Sequence, residues 1–194
     1  MVPQRDPYLL AEVREAFGRV TYSHKTHEKQ ADISLRKHRW QQTALVALTA
    51  VSSGTFLAVV VGLLDNDSLA SLATASVALL VTWTSLATQR FRLQEDSNSH
   101  RDTASILRDI RDSYISLIAE LMSCDISAAA ARQRRSELQE ATTQAYATAP
   151  RTSDKAYRRA QEALKHNEEM TFTPAELDLL LPEALRLGKD TEQP

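Results

Sequence analysis

The sequence predicts an all-α protein built around a two-helix transmembrane hairpin. Two uncharged stretches, residues 40–64 and 68–89, hold 25 and 22 residues and are separated only by an acidic turn at 65–67. A helix needs about 20 apolar residues to cross the hydrocarbon core of a bilayer. Charge is unfavourable there, so its absence over these stretches is informative in a chain that is 25% charged. The alternative is a buried helical hairpin of a soluble bundle.

The first predicted segment, residues 1–39, is an amphipathic cytoplasmic helix. Asp6 is placed as an N-cap, with Pro7 at the first helical position. The apolar residues that follow recur mostly at steps of three or four, at Leu9, Leu10, Val13, Phe17 and Val20. No proline interrupts residues 8–40, so we expect one long helix that leads to the first span.

The first predicted span, residues 40–64, carries small residues at strict four-residue spacing. They are Ala50, Gly54, Ala58 and Gly62. This spacing places small side chains on one stripe of the helix, where a second helix can approach closely in a membrane. We therefore predict a helix-packing surface along this stripe.

The second predicted span, residues 68–89, is unusually rich in hydroxyl groups, because eight of its 22 residues are Ser or Thr. A small, mildly polar seam recurs at steps of four and three along it: Ser71, Ala75, Ala78, Thr82, Ser85 and Gln89. One interpretation is that the hydroxyls bond to the carbonyl four residues earlier and help the span to pack. The other is that the seam lines water, which requires several copies of the chain around an axis.

The charges beside the two spans predict their orientation. Arg36, Lys37 and Arg39 precede the first span, Arg90 and Arg92 follow the second, and the intervening turn is acidic. The positive-inside rule then predicts that both termini lie in the cytoplasm.

After the second span, residues 90–123 are predicted to continue it as a cytoplasmic helix. Its buried stripe follows a period close to 3.5 residues, at His100, Ala104, Leu107, Ile110, Tyr114, Leu117 and Leu121. We expect this stripe to pack on the N-terminal helix, within one subunit or between subunits. Residues 124–194 are predicted to form a helical tail over 126–149, 154–167 and 174–187. Ser153 and Thr173 are the expected caps, and Pro182 should kink or split the last helix.

The sequence offers few candidates for chemistry. His24 and His27, with Glu28 adjacent, could bind one metal ion. A structural metal site requires four ligands, however, so we favour the interpretation that these residues lie on a polar helix face. The cluster Arg132–Arg135 could contact phosphate or anionic lipid, although a solvated face is favoured. His100 has no predicted partner, and Cys124 is expected to pack rather than react. We find no catalytic motif and expect no enzyme, no cofactor and no direct binding of nucleic acid.

The order of elements resembles the SLATT family of two-transmembrane effectors, which are associated with bacterial nucleotide-second-messenger (SMODS and SLOG) and reverse-transcriptase conflict systems. The resemblance is carried by YSHKTHEKQAD and LRKHRW within 22–40, by the acidic turn at 65–67, and by SHRDTASILRDIRDSYISLIAEL at 99–121. It covers about residues 8–123, and the remainder would be a subfamily-specific tail. It implies a pore former that kills or arrests an infected cell when a partner signals, and no catalytic residues.

From these observations we expect a homo-oligomeric antiphage effector that disrupts the inner membrane. Its partners would be the lipid bilayer and a sensor, nucleotide-signalling or reverse-transcriptase protein. A membrane-anchored adaptor that recruits a cytoplasmic partner is the first alternative, and a regulatory subunit of a larger channel or transporter is the second. A pure anchor gains nothing from eight hydroxyl groups in one span, so the seam distinguishes the pore from the anchor.

Overall fold

The computed structural model describes residues 6–51, 67–90, 92–183 and 186. All regular secondary structure in these residues is helical, which confirms the predicted all-α class. The helices are α1 (Pro7–Val51), α2 (Asp67–Arg90), α3 (Leu93–Ser123), α4 (Ala128–Thr148), α5 (Asp154–Lys165) and α6 (Pro174–Leu180).

Three helices begin where their capping residues predict. The Asp6 carboxylate accepts hydrogen bonds from the backbone N–H groups of Tyr8 and Leu9, both at 3.2 Å, and α1 starts at Pro7. Ser153 caps α5 in the predicted way. Thr173 and the glutamate three residues later form the predicted capping box of α6. These caps satisfy N–H groups that have no partner within the helix.

The last helix is shorter than predicted. It ends at Leu180, and Leu181 is extended, with φ −88° and ψ 147°. A residue that precedes proline is disfavoured in the helical region, so α6 ends before Pro182. Residues 184, 185 and 187 of the predicted helix lie outside the described residues. Cys124 ends α3 in the left-handed conformation, with φ 61°.

The antiparallel pairing of α1 with α3 organises the molecule. Their buried residues recur at steps of three or four and form one seam, which we call the α1–α3 seam. It consists of Leu9, Val13, Ala16, Val20, His24, His27, Ala31 and Ser34 from α1, and Ser97, His100, Ala104, Leu107, Ile110, Tyr114, Leu117 and Leu121 from α3. All seven residues of the predicted α3 stripe are therefore buried, as expected. Two hydrogen bonds show that α1 and α3 run antiparallel. His24 of α1 bonds to Ala104 of α3, whereas Ala31, further along α1, bonds to Ser97, which is earlier in α3.

The tail closes the bundle. Helix α4 packs mainly on α3, and α5 packs on α1 through the buried stripe Ala156, Ala160 and Ala163. Arg132 and Arg134 of α4 are exposed, as the sequence favoured, but they and the half-buried Arg135 form ion pairs with carboxylates. Arg132 pairs with Asp6 and Arg134 with Glu120, both at 2.9 Å, and Arg135 pairs with Glu12. These ion pairs join α4 to α1 and α3.

The predicted transmembrane hairpin is not confirmed. Residues 52–66, which include much of the first predicted span, lie outside the described residues. In the part of the chain that is described, no helix is both long and apolar enough to cross a membrane. Helix α2 packs against α1. Arg92 is not helical, with φ −75° and ψ 53°, so α3 begins as a separate helix at Leu93.

The seam predicts which neighbouring positions control stability. Leu107 is fully buried, whereas the adjacent Ile106 is 48% exposed. Leu107→Ala should lower the free energy of unfolding of the purified full chain by about 2–5 kcal/mol, because it removes buried methyl groups and leaves a cavity. Ile106→Ala is the matched control and should cost about 0.5 kcal/mol. Equal losses for the two variants, measured by denaturant unfolding, would contradict the seam.

Candidate functional site

The α1–α3 seam changes character along its length. The half formed by the start of α1 and the end of α3 is apolar. The other half, formed by α1 from His24 onward and by the start of α3, is mostly polar. We call this part the polar layer: His24, His27, Gln30 and Ser34 from α1, with Asp96, Ser97 and His100 from α3. All except Asp96 are buried. Buried polar groups are unfavourable unless they are hydrogen-bonded, so the partners of these side chains indicate what the layer does.

The centre of the layer is a pair of histidines. His27 Nδ1 and His100 Nδ1 lie 3.0 Å apart, and the two rings are 5.1 Å apart between centroids. A hydrogen bond at this distance requires one nitrogen to donate and the other to accept. Two imidazolium rings would direct two N–H groups at each other, so this contact tolerates at most one positive charge.

His24 is held in one tautomer. Its Nδ1 lies 2.9 Å from the carbonyl oxygen of Ala104, which can only accept, so Nδ1 carries the proton. Its Nε2 is 3.8 Å from Glu28, too far for a hydrogen bond.

Burial keeps all three histidines neutral. It lowers the pKa of His24 and of His100, although the Ala104 carbonyl and Glu28 oppose the shift for His24, and Asp96 opposes it for His100. The pKa of His27 falls from 6.5 to about 4, through burial first and then through the charges of His100 and His24. At neutral pH the layer is therefore a set of uncharged hydrogen-bonding groups.

The layer also connects the tail to the start of α3. The Gln30 side-chain oxygen accepts hydrogen bonds from the backbone N–H and the hydroxyl of Ser153, at 3.1 and 2.7 Å. The Gln30 amide lies 3.5 Å from the Ser34 hydroxyl, which donates to Asp96 at 2.5 Å. Asp96 is three residues into α3. Polar contacts thus run from the cap of α5, through α1, to the point where the chain returns from α2.

A second tail contact covers the same region of α1. Glu169 forms ion pairs with Lys25 at 2.8 Å and Lys29 at 2.9 Å. These bonds lower the pKa of Glu169. Burial alone would lower the pKa of Lys25, but its bonds to Glu169 and Glu28 raise it. The flanking residues Glu168 and Met170 have φ values of 50° and 84°, so the turn adopts left-handed backbone to reach α1.

The histidines do not behave as the sequence favoured. His24 and His27 are buried against α3 rather than exposed on a polar face, and His100 is the direct partner of His27. Within the described ranges, no group of three or more His, Cys, Asp or Glu residues could hold a metal ion. The signal that could have identified the layer is the three- and four-residue spacing of Val20, His24 and His27, which continues the apolar stripe.

The predicted helix-packing stripe is described only at Ala50, which is exposed; Gly54, Ala58 and Gly62 lie outside the described residues. In this part of α1 the half-buried residues are instead Gln41, Ala44, Leu45 and Leu48. Their helical spacing marks the face that packs on α2.

The predicted seam of α2 lies beside its contact with α1. The half-buried residues of α2 include Val77, Val81, Thr84 and Ser85. Of the seam, Ala75, Ala78 and Thr82 are exposed, and Ser85 lies at the edge of the α1 contact. Ser71 and Gln89 belong to α2, but their side chains are not described. Three of the four seam residues whose side chains the structure describes are therefore exposed.

The polar layer predicts a specific pH dependence. The pKa of His27 is lowered in the folded chain, so between pH 6.5 and about 4 the unfolded chain binds more protons. The free energy of unfolding should therefore fall as pH is lowered through this window, with His27 contributing about 3 kcal/mol. His27→Gln should flatten the curve, whereas His166→Gln, at an exposed position, should not. Parallel curves for wild type and His27→Gln would contradict the assignment.

Comparison with known proteins identifies the family. The model of the SMODS and SLOG-associating 2TM effector domain family 4 matches residues 9–176. Searches of curated proteins and of solved structures returned no match. The family match extends through α4 and α5 to the first turn of α6, so the family 4 model includes this part of the tail. The chain belongs to the SMODS and SLOG-associating 2TM effector domain family 4.

Proposed function

We propose that this protein is an inner-membrane effector of a bacterial antiphage system, which oligomerises and opens a pore or disrupts the membrane when a partner activates it. The observation that carries the proposal is the family match, whose description specifies a two-transmembrane effector domain. The uncharged stretches at 40–64 and 68–89 supply the two spans, and the basic flanks place both termini in the cytoplasm.

The surface of the helix pair supports a membrane location. We use "helix pair" for residues 40–51 of α1 together with α2. Seven of its described large apolar side chains are exposed: Trp40, Val46, Leu72, Leu79, Leu80, Trp83 and Leu86. A soluble protein rarely leaves so many apolar side chains together in water. Lipid tails would cover them, while the aromatic rings of Trp40 and Trp83 suit the membrane interface.

Three hydroxyl groups of α2 are compatible with lipid because the helix itself satisfies their donors. Ser76, Thr82 and Thr84 each donate to the carbonyl oxygen four residues earlier, at 2.8, 2.9 and 2.7 Å. Each hydroxyl oxygen can still accept a hydrogen bond. Thr82 is exposed on the seam, so several copies of the chain around an axis would present a row of acceptors to water.

The polar layer gives activation a route through the chain. A partner that binds the tail would displace Ser153, which is hydrogen-bonded to Gln30. Gln30 contacts Ser34, and Ser34 in turn donates a hydrogen bond to Asp96. Asp96 lies six residues after the end of α2. A shift of α5 could in this way alter how α3 and α2 leave the bundle, with the α1–α3 seam as the element that rearranges.

A membrane-anchored adaptor is the second candidate. The observation in its favour is that the described hydroxyls of α2 already have donors satisfied within one chain, so they require no water-filled pore. In this case the spans only anchor the bundle, and the tail recruits the partner.

Labelling of single cysteines tests the proposed orientation. Asn66→Cys should react with an impermeant maleimide added outside intact cells, because residues 65–67 are placed outside. Cys124, the only native cysteine, should react only after the cells are permeabilised. Reaction of Cys124 in sealed cells would overturn the topology.

A matched pair of substitutions separates the pore from the anchor. Thr82 and Ser76 are both exposed, and both donate to the carbonyl four residues earlier. Only Thr82 lies on the seam. Thr82→Leu should raise the surviving fraction of expressing cells at least about tenfold, because an apolar constriction expels water and blocks ions. Ser76→Leu should leave toxicity unchanged, and membrane abundance should hold in both. Full toxicity of Thr82→Leu at normal abundance would favour the anchor.

A further inference from the structure

A cluster of cations lies where α1 leaves the bundle. Arg36 and Lys37 from α1 and Lys155 and Arg159 from α5 line a cleft of about 260 Å³, with Ile33 and Trp40 as its apolar members. We call it the basic cleft. The sequence separates its two halves by more than a hundred residues, so only the docking of α5 on α1 creates it.

The geometry of α5 explains why the cations converge. Ala156, Ala160 and Ala163 are fully or almost fully buried against the bundle, and such small side chains let two helices approach closely. Lys155 and Arg159 are one turn apart and border this alanine stripe. They therefore meet the face of α1 that carries Arg36 and Lys37, which are themselves one turn before Trp40.

Among the described residues, the cations of the basic cleft form no ion pair. No acidic residue lines it, and none of its four cations lies within 4.0 Å of a carboxylate in the described parts of the chain. Within the described residues, Arg36 donates a hydrogen bond to the backbone carbonyl of Asp32 in its own helix, at 3.4 Å. The arginines of α4, by contrast, each pair with a carboxylate. Four like charges around one cleft repel each other, so the site favours an anion.

We propose that the basic cleft binds the headgroup of an anionic phospholipid of the cytoplasmic leaflet; this inference rests on the proposed membrane spans. The phosphate would face Arg36, Lys37, Lys155 and Arg159, and the glycerol region would contact Trp40 and Ile33. Trp40 is 77% exposed and begins the first predicted span, so the cleft opens at the depth where headgroups lie. One lipid headgroup would then contact both α5 of the tail and the start of the first predicted span at Trp40.

Quenching of Trp40 fluorescence by brominated lipids tests the site directly. Trp40 and Trp83 are the only tryptophans, so the full chain carrying Trp83→Phe reports on Trp40 alone. It is reconstituted into bilayers that contain brominated phosphatidylglycerol or brominated phosphatidylcholine in an otherwise unbrominated mixture. Each lysine or arginine near the surface favours anionic lipid by roughly fivefold. We therefore expect phosphatidylglycerol to be preferred at Trp40 by at least about fivefold.

Two charge-matched variants complete the test. Lys155→Gln with Arg159→Gln leaves only Arg36 and Lys37 in the cleft and should lower the preference at least about fivefold. Arg151→Gln with Arg158→Gln removes the same charge outside the cleft and should retain the full preference. Equal quenching by both lipids in the parent chain would overturn the proposal, as would equal loss of preference in both variants. Absence of quenching by either lipid would instead show that Trp40 is not in the membrane, and would overturn the proposed function as well.

Discussion

The hydrogen bonds of the polar layer constrain the rest of the structure, because they fix how α1 and α3 align. An apolar seam can slide by a turn at modest cost, since one aliphatic side chain replaces another. His24 finds a carbonyl at Ala104, and Ser97 finds one at Ala31, only in the observed alignment. A slip would leave these buried groups without partners, each at about 1–3 kcal/mol. Polar residues at such positions specify register at the expense of stability.

Register in the α1–α3 seam determines what lies at its two ends. At one end, the alignment places Glu12 and Asp6 of α1 beside the arginines of α4. At the other end, α1 and α2 project as the helix pair, and α5 can reach both Gln30 and the basic cleft. The histidines remain neutral because burial lowers their pKa values. The register therefore depends on pH, and also on the tail residues Ser153 and Glu169 that cover this part of α1.

The sequence was sufficient to predict the all-α class, most helix starts and the apolar half of the seam. Asp6, Ser153 and Thr173 act through neighbours two or three residues away, so local pattern identifies them. The ion pair of Arg135 with Glu12 and the contact of His27 with His100 join residues far apart in the chain, and no local pattern reveals them. His24 and His27 were assigned to a polar face because histidine is compatible with both water and a buried layer. Their spacing, rather than their chemistry, was the better guide.

Membership of the effector family, the exposed apolar surface of the helix pair and the basic cleft all support our proposal that a cytoplasmic bundle controls two membrane spans. Recording membrane potential with a voltage-sensitive dye in cells that express the chain tests this account most directly. High expression favours assembly by mass action, so the account predicts depolarisation that begins before viability falls. Growth arrest with the membrane potential intact would contradict it.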